Sequence, residues 1–294
     1  MIKTILYNLI RKLKLFLTNK TNNEFLSKLY VEEIHKKLRI KQVNQYALNG
    51  FKVYSQNEED GIIEKIFDDI GTTNKVFCEI GIGDCVENNS HYLLLKDWRG
   101  IWIDARSKYI KKLKKKIISG QNILDLIIKK IDKENINNII KESHIIKNIN
   151  DEKIDFFSID IDSYDIDCIE NLNILKPRLI CIEYNSKFKQ NIKLDIKKIN
   201  NFSWAYDDYM GSSLKSINEV LVKKGYTLIA TNITGSNAFF VSNDLVTKCK
   251  TKGQTLNQLY SPSNYELFNY NVAHAPTNKY LIDKLNAKKN INSN

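Results

Sequence analysis

Hydrophobic residues alternate between two patterns from about residue 55 to residue 242. Short apolar runs typical of buried strands are followed by stretches in which apolar residues recur at the spacing of a helix. This alternation predicts a parallel sheet covered by helices on both faces. The predicted strands are 75–80, 100–105, 123–131, 155–162, 178–185 and a closing pair within 226–243 that turns at Gly235.

Helices are predicted between these strands. Ser55 and Glu58 have the spacing of a capping box, so a helix is expected to begin there and to stop near Gly71. Pro177 is expected to mark the break before the strand that follows it. The remaining predicted helices are 91–96, 107–117, 133–140, 164–175 and 211–224.

The length and the 43% hydrophobic content of the 294 residues allow one large domain with extensions at both ends. We expect a basic amphipathic helical segment over 1–50, the main domain over 51–245 and a C-terminal extension over 246–294 that acts as a lid or a dimer contact. Charges interrupt the apolar residues of the first segment well before the roughly 20 residues of a membrane span. It is expected to lie on an anionic membrane surface or to pack on its own domain or a partner, and not to cross a membrane or direct secretion.

The formal net charge of +11 is compatible with nucleic acid, an anionic membrane or an anionic substrate. No recognisable RNA-binding motif accompanies it, so nucleic acid is not the expected partner. The five cysteines lack CxxC spacing, which predicts reduced thiols in a cytoplasmic protein. The histidines lack ligand spacing, which argues against a zinc site.

The strongest local signal is a predicted strand that runs directly into Gly81-x-Gly83, because such glycines let the backbone approach a ligand closely. Glu79 precedes the first glycine. Asp104 ends the next strand about 20 residues on, where an acid can accept both hydroxyls of a ribose. A dinucleotide site would have a small residue where Val86 stands, and Glu79 would repel a pyrophosphate. The same carboxylate suits a cofactor with a sulfonium and an ammonium group.

Several motifs in a fixed order resemble one family. They are YSQNEEDGII (54–63), EIGIGD (79–84), NNSHYLL (88–94), WRGIWIDA (98–105), SIDIDSYD (158–165), IEYN (182–185) and NAFFV (237–241). Over about residues 50–245 the chain resembles the FkbM-type branch of the class I S-adenosylmethionine-dependent methyltransferases. The resemblance implies a Rossmann-like, seven-stranded α/β sheet with an antiparallel last strand, S-adenosylmethionine as cofactor and a hydroxyl oxygen as methyl acceptor.

The resemblance also implies a set of cofactor-binding residues. They are Gln56, Glu79, Gly81, Gly83, Asn89, Asp104 and Asp160. The amino-acid part of the cofactor is expected beside Glu79 and the two glycines, and its ribose on Asp104. Cys85 departs from the class I pattern, which often has a third glycine there, and its side chain is expected to narrow the loop.

Four polar residues, Asp160, Asp162, Glu183 and Asn185, end two neighbouring strands at the expected ligand-binding edge. One of the carboxylates can act as general base on an acceptor hydroxyl. Alternatively, Asp160 and Asp162 with Glu183 or Asn185 hold a hard cation such as Mg²⁺, which would lower the pKa of the acceptor. A third interpretation is that Asp162 caps the following helix and the others hydrogen-bond loops.

The expected function is therefore methyl transfer to a sugar hydroxyl, in a surface glycan or its lipid-linked or nucleotide-linked precursor. The basic N-terminal segment would hold this cytoplasmic enzyme at the inner face of a membrane. Two alternatives stay open. The acceptor is RNA, or the chain is a binding or scaffold protein that keeps the fold without catalysis, for which Cys85 is the best argument.

Overall fold

The computed structural model describes residues 20–117, 122–149, 152–196, 204–205, 207–267 and 276–287. The strands are β1 (Val76–Ile80), β2 (Arg99–Asp104), β3 (Leu124–Ile128), β4 (Lys153–Ile159), β5 (Lys176–Glu183), β6 (Tyr226–Thr231) and β7 (Asn237–Ser242). The amphipathic pattern that was expected to contact a membrane falls mostly on residues 1–19, which lie outside the described residues. Within the described ranges, no helix combines the length and apolar content needed to cross a membrane.

Ten α-helices are found in the described residues. They are α1 (Lys20–Lys41), α2 (Glu59–Ile70), α3 (His91–Leu95), α4 (Ser107–Lys114), α5 (Ile136–Ile140), α6 (His144–Lys147), α7 (Asp165–Asn171), α8 (Leu214–Lys223), α9 (Leu256–Leu259) and α10 (Lys279–Ala287). Short 3₁₀ turns lie at Gln45–Asn49, Asn243–Lys248 and Tyr265–Leu267.

The seven strands form one sheet with the order β3-β2-β1-β4-β5-β7-β6. Strands β1 to β5 pair in parallel, and β7 is antiparallel to both of its neighbours. The chain builds outward from β1 to β3 and then returns to the other side of β1, so the strand order reverses between β1 and β4. The predicted Rossmann-like fold with an antiparallel last strand is confirmed.

Two apolar clusters cover the two faces of the sheet, since successive strand residues point to opposite sides. Phe77 of β1 packs with α2, α3, α4 and α10, whereas Cys78 packs with α5, α7 and α8. Burial on both faces explains why the strands read as continuous apolar runs. Leu281 and Leu285 of α10 are buried in the apolar cluster on the sheet face that carries α2, so part of the C-terminal extension belongs to the core.

The start of α2 differs from the expectation. The helix begins at Glu59, and Glu58 occupies the N-cap position without a side-chain cap bond, so the predicted capping box is wrong. Asp60 provides the local order instead: its Oδ2 accepts the backbone amides of residues 53–55 at 2.7, 2.6 and 2.9 Å. Ser55 Oγ accepts the Asp60 amide at 3.1 Å. One buried carboxylate thus folds the preceding loop onto the helix.

Pro177 was expected before its strand but lies inside β5, opposite Ile154 of β4. It is the second residue of β5, close to the strand start, where a residue without an N–H is tolerated. The other predicted strands and helices are confirmed with ends that differ by a few residues.

Glu58 ties the start of α2 to the β6–β7 turn. Its Oε1 accepts the Ile233 amide at 2.5 Å, and its Oε2 is buried without a hydrogen-bond partner among the described residues. Burial, with a smaller contribution from the neighbouring Glu59 charge, raises the pKa of Glu58 to about 8. Ionising this carboxyl group therefore works against the folded state.

Replacing Glu58 with glutamine should change how stability depends on pH. The pKa of Glu58 rises from the ordinary 4.5 to about 8 on folding. The stability that the neutral carboxyl group provides is therefore complete below the lower value and is lost as pH rises through the higher one. The wild type should lose up to about 1.4 kcal/mol of unfolding free energy per pH unit relative to Glu58→Gln in this window. Denaturant unfolding of both proteins at the two ends of the window measures this, and parallel profiles would contradict it.

Candidate active site

The carboxyl ends of the central strands meet at the point where the strand order reverses, which is where open α/β sheets bind ligands. Four acids lie at or just beyond these ends: Glu79 of β1, Asp104 of β2, Asp160 after β4 and Glu183 of β5. Strand alternation places Glu79, Asp160 and Glu183 on the sheet face that carries α2.

The turn after β1 lies against the chain that leaves β4. Gly81 has a φ of +88°, and a Cβ atom there would lie 1.6 Å from the carbonyl oxygen of Asp160. The Asp160 amide donates to the Ile80 carbonyl at 3.0 Å, which fixes the two segments together. Gly83 also has a positive φ, of +57°, but its Cβ would meet only Arg106 Nη2 at 3.4 Å. The sequence signal at Gly81 thus reflects a backbone contact that excludes every side chain.

Cys85 adopts the left-handed conformation that a glycine would take, with a φ of +66°. Its amide donates to the Ile82 carbonyl at 2.9 Å, and its side chain is buried in the apolar cluster on the α2 face. A left-handed non-glycine residue costs about 1 to 2 kcal/mol. The departure from glycine is therefore accommodated by packing the thiol into the core.

Glu79 orders the start of α3. Its Oε1 accepts the Asn89 amide at 2.7 Å, while Oε2 accepts the Ser90 amide at 2.9 Å, the Asn88 side chain at 3.0 Å and the Ser90 hydroxyl. Burial raises the pKa of Glu79, and these donors oppose that effect. A carboxylate offers about four acceptor sites, so Oε1 retains capacity for a donor from a ligand. A direct contact of Glu79 with a cofactor stays a prediction.

Asn89 contacts the central strands, and Gln56 lies in the loop before α2. The Asn89 side chain donates to Ser158 Oγ at 3.0 Å and to Cys181 Sγ at 3.5 Å, which joins the α3 turn to β4 and β5. Gln56 is half-buried, and its carbonyl accepts Lys52 Nζ at 3.0 Å. Lys52 Nζ also forms an ion pair with Glu87 Oε1 at 3.0 Å. The place of Asn89 and Gln56 in a cofactor pocket stays a prediction.

Asp104 links β2 to the glycine turn. Its Oδ2 accepts the Gly83 amide at 2.9 Å, and its Oδ1 accepts the Arg106 amide at 2.6 Å. The Arg106 guanidinium also bonds both oxygens, at 3.2 Å each. Two backbone amides therefore hold the Asp104 carboxylate, and the Arg106 guanidinium binds it on the solvent side.

Asp160, Asp162 and Glu183 form an acid cluster whose nearest carboxylate oxygens lie within 4.8 Å of one another. Burial, followed by the charges of neighbouring acids, raises the pKa values of Asp160 and Glu183 well above their ordinary range. Burial also raises the pKa of Asp162, which the Arg106 charge opposes. In the described part of the chain, Glu183 Oε2 is buried with no donor in reach. A proton shared between Asp160 and Glu183, or a bound cation, satisfies this arrangement.

The part of the third interpretation in which Asp162 caps the next helix is wrong, since Tyr164 occupies the N-cap position. The part in which the other residues hydrogen-bond loops holds for Asn185. Asp162 has a left-handed backbone, with a φ of +56°. The bonds that close the turn come from Asp165, whose carboxylate accepts the amides of Ile161 and Ser163 at 2.9 and 3.1 Å. The Asp162 carboxylate therefore does not close this turn and belongs to the cluster with Asp160 and Glu183.

Asn185 holds a loop beside the cluster. Its side-chain nitrogen donates to the carbonyls of Asp208 and Met210 at 3.0 Å each, and its Oδ1 accepts the Lys187 amide at 3.2 Å. These bonds use the side-chain amide to position the chain that leads into α8. A chemical role for Asn185 stays a prediction.

A buried network at the start of α2 was missed from the sequence. Glu59 Oε1 accepts the side-chain amides of Asn57, Asn232 and Asn237 at 3.2, 2.8 and 2.9 Å. Asn237 lies opposite Glu183 in the β5–β7 ladder, so the network borders the acid cluster. The sequence signal for this network is the run of three acids at residues 58–60, at the start of an otherwise apolar helix.

The C-terminal extension reaches the same edge of the sheet. Tyr184 donates to the Ser261 carbonyl at 2.7 Å, and the Asn264 amide donates to the Thr234 carbonyl at 3.0 Å. The Tyr265 hydroxyl lies 3.3 Å from Ser186 Oγ. The extension therefore packs beside the end of β5 that carries Glu183.

No family model and no curated protein matches this chain. Among solved structures, it is similar to a Staphylococcus aureus protein provisionally described as a caffeoyl-CoA O-methyltransferase, with 18% identity, 76% of this chain and 99% of that chain covered, and a TM-score of 0.43. The glycopeptide N-methyltransferase MtfA, complexed with S-adenosyl-L-methionine, has 10% identity over 61% and 85% of the two chains and a TM-score of 0.34. The methyltransferase domain of bacterial CtHen1 has 12% identity over 64% and 97% and a TM-score of 0.38. These values are too low to transfer an activity to this chain.

Alanine substitutions at the two glycines should separate a backbone clash from simple strain. Gly81→Ala places a methyl group on the Asp160 carbonyl, which should lower the free energy of unfolding by about 3 kcal/mol or more. Gly83→Ala, the matched control, meets only the flexible end of the Arg106 side chain at 3.4 Å and should cost about 1 to 2 kcal/mol for its left-handed backbone. Denaturant unfolding measures both variants. Equal losses would contradict the close contact at Gly81.

Proposed function

We propose that this chain transfers a methyl group from S-adenosylmethionine to a hydroxyl oxygen. The observation that carries the proposal is that three features lie together where the strand order of the sheet reverses. They are the side-chain-free turn at Gly81, the carboxylate of Asp104 held by that turn, and the acid cluster two strands away. The cofactor supplies a methyl group activated on a sulfonium.

The residues present fit such a cofactor. Asp104 presents a carboxylate whose position is fixed by the Gly83 amide, which suits the two hydroxyls of a ribose. Glu79 has remaining acceptor capacity on Oε1 and a negative charge that suits an ammonium or sulfonium group. Gly81 and Gly83 bring their backbone to the same place without side chains. These residues would hold the ribose and the amino-acid part.

The pair of Asp160 and Glu183 supports proton removal from the acceptor. Their pKa values are raised by burial and mutual repulsion, so the ionised member of the pair is a stronger base than an exposed carboxylate. This carboxylate would take the proton of the acceptor hydroxyl, while the cofactor would supply the methyl group by breaking its carbon–sulfur bond and would leave as the neutral thioether. The other member donates a hydrogen bond to the carboxylate that performs this role.

A second role for the same acids is to hold Mg²⁺, together with Asp162. Three carboxylates with oxygens within 4.8 Å suit a hard cation, which would lower the pKa of a bound hydroxyl. Methyl transfer that resists a chelator supports the base alone, and transfer that is lost and restored by Mg²⁺ supports the metal.

The proposed acceptor is a sugar hydroxyl in a surface glycan or its precursor, with the enzyme in the cytoplasm at the inner face of a membrane. This step is supported by the sequence resemblance and by the basic N-terminal segment. RNA as acceptor is the alternative that salt-sensitive retention of RNA would favour. The non-catalytic scaffold is the alternative that follows if no cofactor binds.

Calorimetric titration with S-adenosylhomocysteine tests the cofactor site. The wild type should bind, and Asp104→Asn should bind about ten- to a hundred-fold more weakly, because hydrogen bonds from the ribose to a charged acceptor are lost. Glu142→Gln is the control, since it neutralises a half-exposed acid paired with Lys129 on the β3 side of the sheet. A folded wild type that does not bind overturns the methyltransferase proposal.

Glu183→Gln tests the chemical step separately. The variant should bind S-adenosylhomocysteine as the wild type does, while kcat with a glycan acceptor falls about 10²- to 10⁴-fold because the base is removed. The remaining activity should lose the rise with pH that reports ionisation of the pair. Unchanged kcat would remove Glu183 from the proton transfer.

A further inference from the structure

The carboxylate of Asp104 is held in two distinct ways. Each oxygen accepts one backbone amide, from Gly83 at 2.9 Å and from Arg106 at 2.6 Å. Each oxygen also accepts one N–H of the Arg106 guanidinium, Nε on Oδ1 and Nη2 on Oδ2, at 3.2 Å. The backbone bonds are shorter and hold the carboxylate from the protein side, so its position does not depend on the guanidinium.

The guanidinium occupies the two acceptor directions that a sugar diol needs. A guanidinium fork offers two adjacent N–H donors to the two oxygens of one carboxylate. The neighbouring hydroxyls of a ribose offer two O–H donors to the same pair of oxygens. Because Asp104 is otherwise committed to its two backbone amides, the ribose and the Arg106 side chain compete for the same positions.

The Arg106 side chain is also able to leave. It is 61% exposed, whereas the Asp104 side chain is 4% exposed, so the guanidinium covers the acid from the solvent side. Because solvent reaches the guanidinium, its charge is screened and the ion pair is weaker than a fully buried one. The charges of Asp162 and Asp160 act on Arg106 as well as that of Asp104, so Asp104 is not the only acid that attracts the cation.

We propose that the side chain of Arg106 is a built-in competitor for the ribose diol, which a nucleoside cofactor displaces from Asp104 on binding. The inference rests on the proposed function, because it takes Asp104 as the ribose acceptor. It assigns to Arg106 a role in setting cofactor affinity that the glycine turn and Asp104 alone do not reveal.

The test compares two variants that remove one positive charge each. Arg106→Ala keeps the backbone amide on Asp104 Oδ1 but removes the competing side chain, so S-adenosylhomocysteine should bind about two- to five-fold more tightly than to the wild type, as expected for a weak ion pair. Lys108→Ala is the matched control, because Lys108 is exposed on the following turn of α4 and its side chain lies over Tyr109. Its affinity should equal that of the wild type.

A second readout follows the guanidinium itself. The chain has few arginines, so the Nε–H resonance of Arg106 is identified by its loss in Arg106→Ala spectra. Saturation with S-adenosylhomocysteine should shift this resonance and increase its exchange with water. Tighter binding by Arg106→Ala with this shift supports the competitor.

The remaining outcomes overturn it in distinguishable ways. Equal or weaker binding by Arg106→Ala than by Lys108→Ala, or an unshifted resonance at saturation, overturns the competitor while the cofactor site stands. Absence of binding by folded wild type and both variants overturns the proposed function, and the competitor with it.

Discussion

The contact between Gly81 and the carbonyl of Asp160 is the constraint on which the rest of the site depends. A Cβ at position 81 would lie 1.6 Å from that oxygen, so the turn after β1 and the chain after β4 touch through backbone atoms alone. This contact fixes the two strand ends on either side of the reversal in strand order. The Gly83 amide then positions Asp104, and the segment after β4 brings Asp160 and Asp162 towards Glu183.

The acids at this edge fall into two groups by how they are satisfied. Asp60, Glu79 and Asp165 accept backbone amides and order the loops around them. Asp160 and Glu183 instead face each other, with raised pKa values and a buried oxygen of Glu183 that no described donor satisfies. Burial raises the pKa values of all five acids, but donated amide hydrogen bonds oppose the rise at Asp60, Glu79 and Asp165, whereas the charges of neighbouring acids add to it at Asp160 and Glu183. This difference separates acids that build the site from acids suited to its chemistry.

The sequence predicted local features well because they arise from local physics. Buried parallel strands need continuous apolar runs, and Gly81 and Gly83 reflect a tight turn. The capping box failed because Asp60, two residues beyond the expected partner, binds the loop amides instead. Contacts between residues far apart in the chain, such as Glu59 with Asn237, cannot be predicted from the spacing of residues in the sequence. The bond between Arg106 and Asp104 is local in the chain. Whether the carboxylate stays in place without the guanidinium depends on the Gly83 amide, which comes from the end of another strand.

The position of β7 between β5 and β6 has a consequence for how the chain reaches its native state. In the described sheet, β6 is joined to the other strands only through β7, although it precedes β7 in the chain. As the polypeptide emerges from the ribosome, β6 has no strand to pair with until the hairpin closes at Gly235. The two strands must then add to β5 together, and until they do so the growing sheet exposes β5 as an open edge.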